Sequence, residues 1–217
     1  MKTFLTLISI LIFGAIALAI SPSVRAEPII LLALGDSLTA GYGLDPAAAF
    51  PVKLEAALRA KGHDVVVVNA GVSGDTASQG AARLDWSLTD DVDGVIVELG
   101  ANDALRGLDP GQAEAALKVI IERLAAKNLP VLLAGMRAPP NLGPDYVAAF
   151  EGMYQRLAAA PHVALYPFFL DGVAADPKLN QADGLHPTAK GVDVIVAHML
   201  PSVEALLVRV KKQPSKK

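Results

Sequence analysis

Four short runs of apolar, largely β-branched residues punctuate this chain: Pro28 to Leu34, Val65 to Asn69, Val95 to Leu99 and Val131 to Gly135. Each is apolar on consecutive rather than alternating positions, so each demands cover on both faces of a strand. Between them lie longer stretches with helical spacing: Pro51 to Lys61, Thr76 to Leu84, Gly111 to Lys127 and Asp145 to Ala159. Doubly buried strands alternating with helices predict an α/β chain with a central, mainly parallel sheet between two helical layers, a three-layer α/β/α sandwich. A fifth strand near Val163 to Tyr166 and a last helix from Thr188 to about Val210 bring the sheet to about five strands. In such sheets ligands sit at the carboxyl ends of the strands, on the loops that lead into helices.

The N-terminus predicts export. Met1-Lys2 is followed by an apolar stretch from Phe4 to Ile20, a break at Ser21-Pro22, and Val24-Arg25-Ala26 with short residues where a signal peptidase reads. We expect residues 1–26 to be a signal peptide, cut after Ala26, and residues 27–217 to form a single domain in the periplasm or outside the cell. An uncleaved anchor is the competing expectation, but the stretch is only marginally long enough to span a bilayer. After cleavage no stable membrane insertion is expected. The leader removes two of the 19 basic residues and none of the 22 acidic ones. The remaining acidic balance gives no electrostatic reason to bind nucleic acid. With no cysteine in the chain, disulfides, thiol nucleophiles, thiolate metal sites and lipid anchoring on cysteine are excluded, and serine is left as the credible nucleophile.

The chemistry-bearing residues fall in the loops after the strands. Gly35-Asp36-Ser37-Leu38-Thr39 follows the first, Asn69-Ala70-Gly71-Val72-Ser73-Gly74-Asp75 the second, and Gly100-Ala101-Asn102-Asp103 the third; Asp183-Gly184-Leu185-His186 precedes the last helix. A serine hydroxyl needs an imidazole to take its proton and a carboxylate to hold that imidazole. Ser37, His186 and Asp183 are those residue types, and the short Asp183 to His186 spacing lets the carboxylate curl back to the ring. His63, His162 and His198 have no acid at such a spacing in these loops and read as structural or solvated.

These four blocks, in this order, resemble the GDSL-type, or SGNH, hydrolase family, most of all its small periplasmic arylesterases, thioesterases and lysophospholipases. The resemblance covers nearly all of residues 27–217 and implies the flavodoxin-like SGNH fold. It implies Ser37 as nucleophile, His186 as general base and then acid, and Asp183 as the partner of His186. It also implies an oxyanion hole from the backbone N–H groups of Ser37 and Gly71 and the side-chain amide of Asn102. Fixed donors at such a site are each worth about 3 kcal/mol. No Gly-x-Ser-x-Gly elbow is present, which argues against the α/β-hydrolase arrangement.

Several neighbours read as structural. Asp36 is expected to bond nearby backbone N–H groups, Asp75 to cap the helix at Thr76, and Asp103 to pair with Arg106, which could instead touch a substrate. Glu98, an acid in an apolar strand, should have a buried partner that the sequence does not name. The carboxylates and histidines do not cluster at ligand spacings, so neither metal nor cofactor is expected. Around Ser37 the loops are apolar, with Leu38, Leu105, Met136, Pro139, Leu142 and Leu185 as the expected substrate contacts. The run Met136 to Gly143 is expected to form a shaped wall. The substrate class that follows is a small acyl ester or thioester, handled by a monomer. A transacylase with an alcohol or sugar acceptor, or a binding module without catalysis, would use the same surface.

Overall fold

The computed structural model describes residues 27–211; the expected signal peptide lies outside them. Five strands, β1 (Ile29–Gly35), β2 (Val65–Gly71), β3 (Gly94–Glu98), β4 (Val131–Ala134) and β5 (Val163–Tyr166), pair in the order β2-β1-β3-β4-β5. Every pairing is parallel. Among the described residues six α-helices lie between them, α1 (Ser37–Ala40), α2 (Phe50–Ala60), α3 (Ala77–Ser87), α4 (Ala101–Leu105), α5 (Pro110–Ala126) and α6 (Pro144–Leu157), and α7 (Ala189–Lys211) follows β5. Helix α2 packs on α7, and α3, α5 and α6 pack in sequence on one another. This is the doubly covered sheet that the apolar runs require.

The central strands carry the core. Leu31, Leu32, Leu34, Val95, Ile96, Val97, Val131 and Leu133 are fully buried, and each such aliphatic side chain contributes about 1.5–3 kcal/mol. Strand β2 departs from the expectation of burial on both faces. It lies at the sheet edge, and Val68 and Asn69 are exposed, because an edge strand needs less cover than a central one. It also runs two residues past Asn69, to Gly71, which pairs with Gly35 of β1. Two short helices were not apparent in the periodicity: α1 and α4 hold four and five residues, less than the two turns an apolar stripe needs to be recognised.

The strand order reverses between β1 and β3, since the chain leaves β1 toward β2 on one side and returns to β3 on the other. The crevice outside the carboxyl ends of those two strands is where ligands bind in sheets of this kind. Ser37 follows β1 and Asn102 follows β3, one on each flank of the crevice.

Candidate active site

Ser37 is the first residue of α1, directly after β1. Asp36 caps that helix: its Oδ1 accepts the Leu38 N–H at 3.0 Å, as expected of an aspartate placed to fix the turn. Ser37 Oγ lies 2.9 Å from His186 Nε2, and His186 Nδ1 lies 2.6 Å from Asp183 Oδ2. With the ring proton on Nδ1, that N–H donates to Asp183 and Nε2 accepts from the Ser37 hydroxyl. The three residues form one hydrogen-bonded chain.

Asp183 is held by its own loop. Its Oδ1 accepts the backbone N–H groups of Leu185 at 2.9 Å and His186 at 3.1 Å. The His186 ring first, and these N–H groups after it, lower the Asp183 carboxyl to about 2. It is therefore an anion wherever His186 works as a base. The ring of Tyr42 lies 4.6 Å from the His186 ring, centroid to centroid. Gln181 ties the two loops together, its Nε2 donating to the Tyr42 and Pro187 carbonyls.

On the other flank, Asn102 Nδ2 donates to Asp36 Oδ2 at 3.0 Å and to the Asp75 carbonyl at 3.1 Å. Burial raises the Asp36 carboxyl to about 6, against the opposing effect of its hydrogen bonds from Leu38 and Asn102. Ser37 N–H makes no hydrogen bond among the described residues and remains free to donate.

Gly71 does not fit the donor role expected of it. Its N–H donates to Asn69 Oδ1 at 2.9 Å, and a Cβ on it would overlap the Thr39–Ala40 backbone, 2.7 Å from Ala40 Cα. It is a glycine because β2 meets α1 there, not because a substrate approaches. The glycine of this loop whose N–H makes no hydrogen bond among the described residues is Gly74, at φ 88°. Arg106 Nη2 donates to its carbonyl at 2.7 Å.

Two further expectations need correction in the same loops. Thr76, not Asp75, caps α3, in a capping box with Gln79; Asp75 pairs instead with Arg83. Asp103 and Arg106 make no direct hydrogen bond: Asp103 Oδ2 accepts the Ala77 N–H at 2.8 Å, while Arg106 holds Gly74. Both still serve the expected end, fixing the loops beside Asn102. His63, His162 and His198 bond to Glu204, the Ile121 carbonyl and Asp171, all outside this constellation.

A cavity of about 540 Å³ opens beside Ser37 and His186. Leu38, Leu105, Met136, Pro139 and Leu185 line it as expected. Leu142 does not: it sits in a short turn, Pro140–Leu142, and faces Gly107. Phe168, Leu170, Ala174 and Ala175, from the connection between β5 and α7, complete the wall. That connection has no periodicity to announce it. The guanidinium of Arg137 stacks on Phe168, 4.6 Å from its ring centroid.

Residues 33–194 match the GDSL-like lipase/acylhydrolase family. The chain belongs to that family. Among its relatives, the esterase TesA of Pseudomonas aeruginosa is 38% identical over 200 residues, covering 92% of this chain and 99% of TesA. The thioesterase 1/protease 1/lysophospholipase L1 of Escherichia coli K12 is 41% identical over 178 residues, covering 82% of this chain and 84% of its own. The crystal structure of AlinE4, an SGNH-hydrolase family esterase, superposes with a TM-score of 0.70 at 48% identity, covering 84% of this chain and 98% of AlinE4. This acylhydrolase is accordingly an ester-hydrolysing enzyme with the α/β/α fold of its family.

Proposed function

We propose that Ser37, His186 and Asp183 carry out two-step acyl transfer to water. The observation that supports it is the continuous chain Ser37 Oγ–His186 Nε2 and His186 Nδ1–Asp183 Oδ2, at 2.9 and 2.6 Å, opening on an apolar cavity. Ser37 Oγ attacks the carbonyl carbon of an ester or thioester as its proton passes to His186 Nε2. The tetrahedral intermediate collapses, the C–O or C–S bond breaks, and the alcohol or thiol leaves with the proton from Nε2. A water then gives its proton to Nε2 as it attacks the acyl-serine carbonyl; the second tetrahedral intermediate collapses, the bond from the acyl carbon to Ser37 Oγ breaks, Nε2 returns the proton to Oγ, and the acid leaves. The Asp183 carboxylate favours the imidazolium formed in each step.

The oxyanion of each tetrahedral intermediate takes hydrogen bonds from Ser37 N–H, Gly74 N–H and the Asn102 amide, which exchanges its bond to the Asp75 carbonyl for one to the oxyanion while Asp36 holds its other proton, with Gly74 in the place expected for Gly71. The N–H groups of Ser37 and Gly74, unengaged among the described residues, and the bonds that Arg106 makes to the Gly74 carbonyl and Asn102 to the Asp75 carbonyl, support that set. The cavity lined by Leu38, Leu105, Met136, Pro139, Phe168 and Leu185 suits an acyl chain or aromatic ring. Aryl esters, acyl thioesters and lysophospholipids meet that description. All residues of the site come from one chain, so a monomer suffices, and the enzyme works after export with the leader cut after Ala26.

The test is hydrolysis of p-nitrophenyl esters, from acetyl to palmitoyl, by residues 27–217, with Ser37→Ala alongside. Turnover that disappears in Ser37→Ala, with the melting temperature unchanged, is the expected result. Undiminished turnover by the purified variant would remove Ser37 from the reaction.

A further inference from the structure

Asn102 is held by Asp36, one of two neighbouring carboxyl groups that take no part in the acyl-transfer steps. Asp36 and Glu98 are 0% and 1% exposed. Glu98 ends β3, in register with Gly35. Its Oε2 accepts the Thr39 hydroxyl at 2.8 Å and the Asp36 N–H at 3.3 Å. Its Oε1 is buried with no hydrogen-bond partner among the described residues. Gly35 makes this packing possible, since a Cβ there would stand 2.7 Å from Glu98 Oε2 and overlap Thr39. Asp36 and Glu98 are thus two buried carboxyl groups on neighbouring strand ends, linked through the Asp36 N–H.

Two adjacent buried carboxylates repel, and such pairs resolve the repulsion by holding one proton between them. The surroundings decide where it sits. Asp36 accepts the Leu38 N–H and the Asn102 amide, and it is near enough to His186, which becomes cationic during the reaction, for that charge to favour its ionised form. Glu98 accepts one hydroxyl and one long backbone bond, with no cation bonded to it. Of the other polar groups packed around the pair, Arg83 of α3 is engaged by Asp75 and by the Gly35 carbonyl. Asp103 of α4 adds negative charge, and Tyr154 of α6 donates to the Leu99 carbonyl at 2.9 Å. None of these neutralises an ionised Glu98.

We propose that Glu98 is a positioning residue that works as a neutral acid, leaving the pair's single negative charge on Asp36, where it orients the Asn102 amide and favours the His186 imidazolium. Burial raises the Glu98 carboxyl well above its ordinary value, which agrees. The inference rests on the oxyanion role given to Asn102 above. The glutamate then has a reason to sit in an apolar strand: a leucine there would leave the Asp36 N–H and the Thr39 hydroxyl without acceptors, and an ionised group would drive the proton onto Asp36.

Two measurements test it. In the infrared difference between the wild type and Glu98→Gln at about pH 8, a protonated-carboxyl C=O band should be present in the wild type and lost in the variant. In steady-state hydrolysis, Glu98→Ala and Asp36→Asn should each lower kcat about tenfold or more with KM within about twofold. Glu98→Gln, neutral and of the same shape, should restore kcat to within about threefold of the wild type. An absent acid band, or a Glu98→Gln enzyme as slow as Glu98→Ala, would overturn the proposal. The band does not depend on turnover, so wild-type activity that persisted in Ser37→Ala would refute the mechanism while leaving the protonation of Glu98 to be read separately.

Discussion

Replacing Asn102 by alanine separates what this side chain does in the resting enzyme from what it does in the transition state. At rest, both Nδ2 protons are engaged, one by Asp36 Oδ2 at 3.0 Å and one by the Asp75 carbonyl at 3.1 Å. Truncation leaves Asp36 Oδ2, on a fully buried residue, without its donor. An unsatisfied buried acceptor costs about 1–3 kcal/mol. For a domain of this size each kcal/mol lowers Tm by about 2–4 °C, so a fall of a few degrees is expected even if Asn102 never meets the substrate. Loss of an oxyanion donor costs about 3 kcal/mol more, spent only in the transition state, and predicts a kcat lower by about 10²- to 10³-fold with KM nearly unchanged. Steady-state hydrolysis of a p-nitrophenyl ester, with active sites titrated by a serine-directed phosphonate, measures the effect per folded molecule. A Tm fall of the expected size with kcat down less than about tenfold would refute the donor role and leave Asn102 as a strut between two loops.

Gly71→Ala and Gly74→Ala should part company in a urea melt. The first forces a Cβ into the Thr39–Ala40 backbone and should destabilise strongly, while the second meets open space, with Arg106 Nη2 at 3.7 Å, and is opposed mainly by its φ of 88°, a cost of about 1–3 kcal/mol. The raised Glu98 carboxyl also makes stability depend on pH. Folded Glu98 keeps a proton that the unfolded chain releases above about pH 4.5, so wild-type stability falls as pH rises through that window. The Tm of Glu98→Gln relative to the wild type should therefore climb from about pH 5 to about pH 8; a flat difference would mean that Glu98 ionises in the fold.

What the sequence made legible follows the range of the interactions involved. The Asp183–His186 pair is local, three residues apart, and its hydrogen bonds to the Leu185 and His186 N–H groups belong to the same turn; spacing alone was enough to read it. The four longer helices between strands and all five strands were legible because each buries an apolar face or run of its own. Helices α1 and α4 were not, being too short to show a period, although they carry Ser37 and Asn102. The choice of Gly71 over Gly74 failed for a tertiary reason. Pairing with β1 carries β2 through Asn69 and Ala70, residues of modest strand propensity, and so takes Gly71 into the sheet. The capping box Thr76–Gln79 was the available signal. It fixes the start of α3 and leaves Gly74 as the glycine just ahead of it, and it also removes Asp75 from the cap. The walls contributed by Phe168 and Leu170 depend on an irregular connection whose Phe169 N–H is tied to the Gly135 carbonyl just after β4, a long-range contact that no local pattern encodes.

The same distinction of range bears on how the site is kept in order. Ser37, Asn102 and the Gly74 loop are attached to strand ends within one rigid sheet, so their spacing is set by strand pairing. His186 and Asp183 arrive on a separate loop, and their distance to Ser37 spans 149 residues of sequence. Nothing in the Asp183–His186 turn itself fixes that distance. The contacts that do are the Gln181 bridge to the Tyr42 and Pro187 carbonyls, the Gln181 N–H to the His186 carbonyl at 2.7 Å, and the Tyr42 ring against the imidazole. Tyr42 follows α1, the helix that Ser37 begins, so the clamp measures the base against the nucleophile's own segment. These contacts tie α1 to the histidine loop directly beside the 2.9 Å contact between Ser37 and His186, the arrangement that holding a base at hydrogen-bond distance from its nucleophile requires.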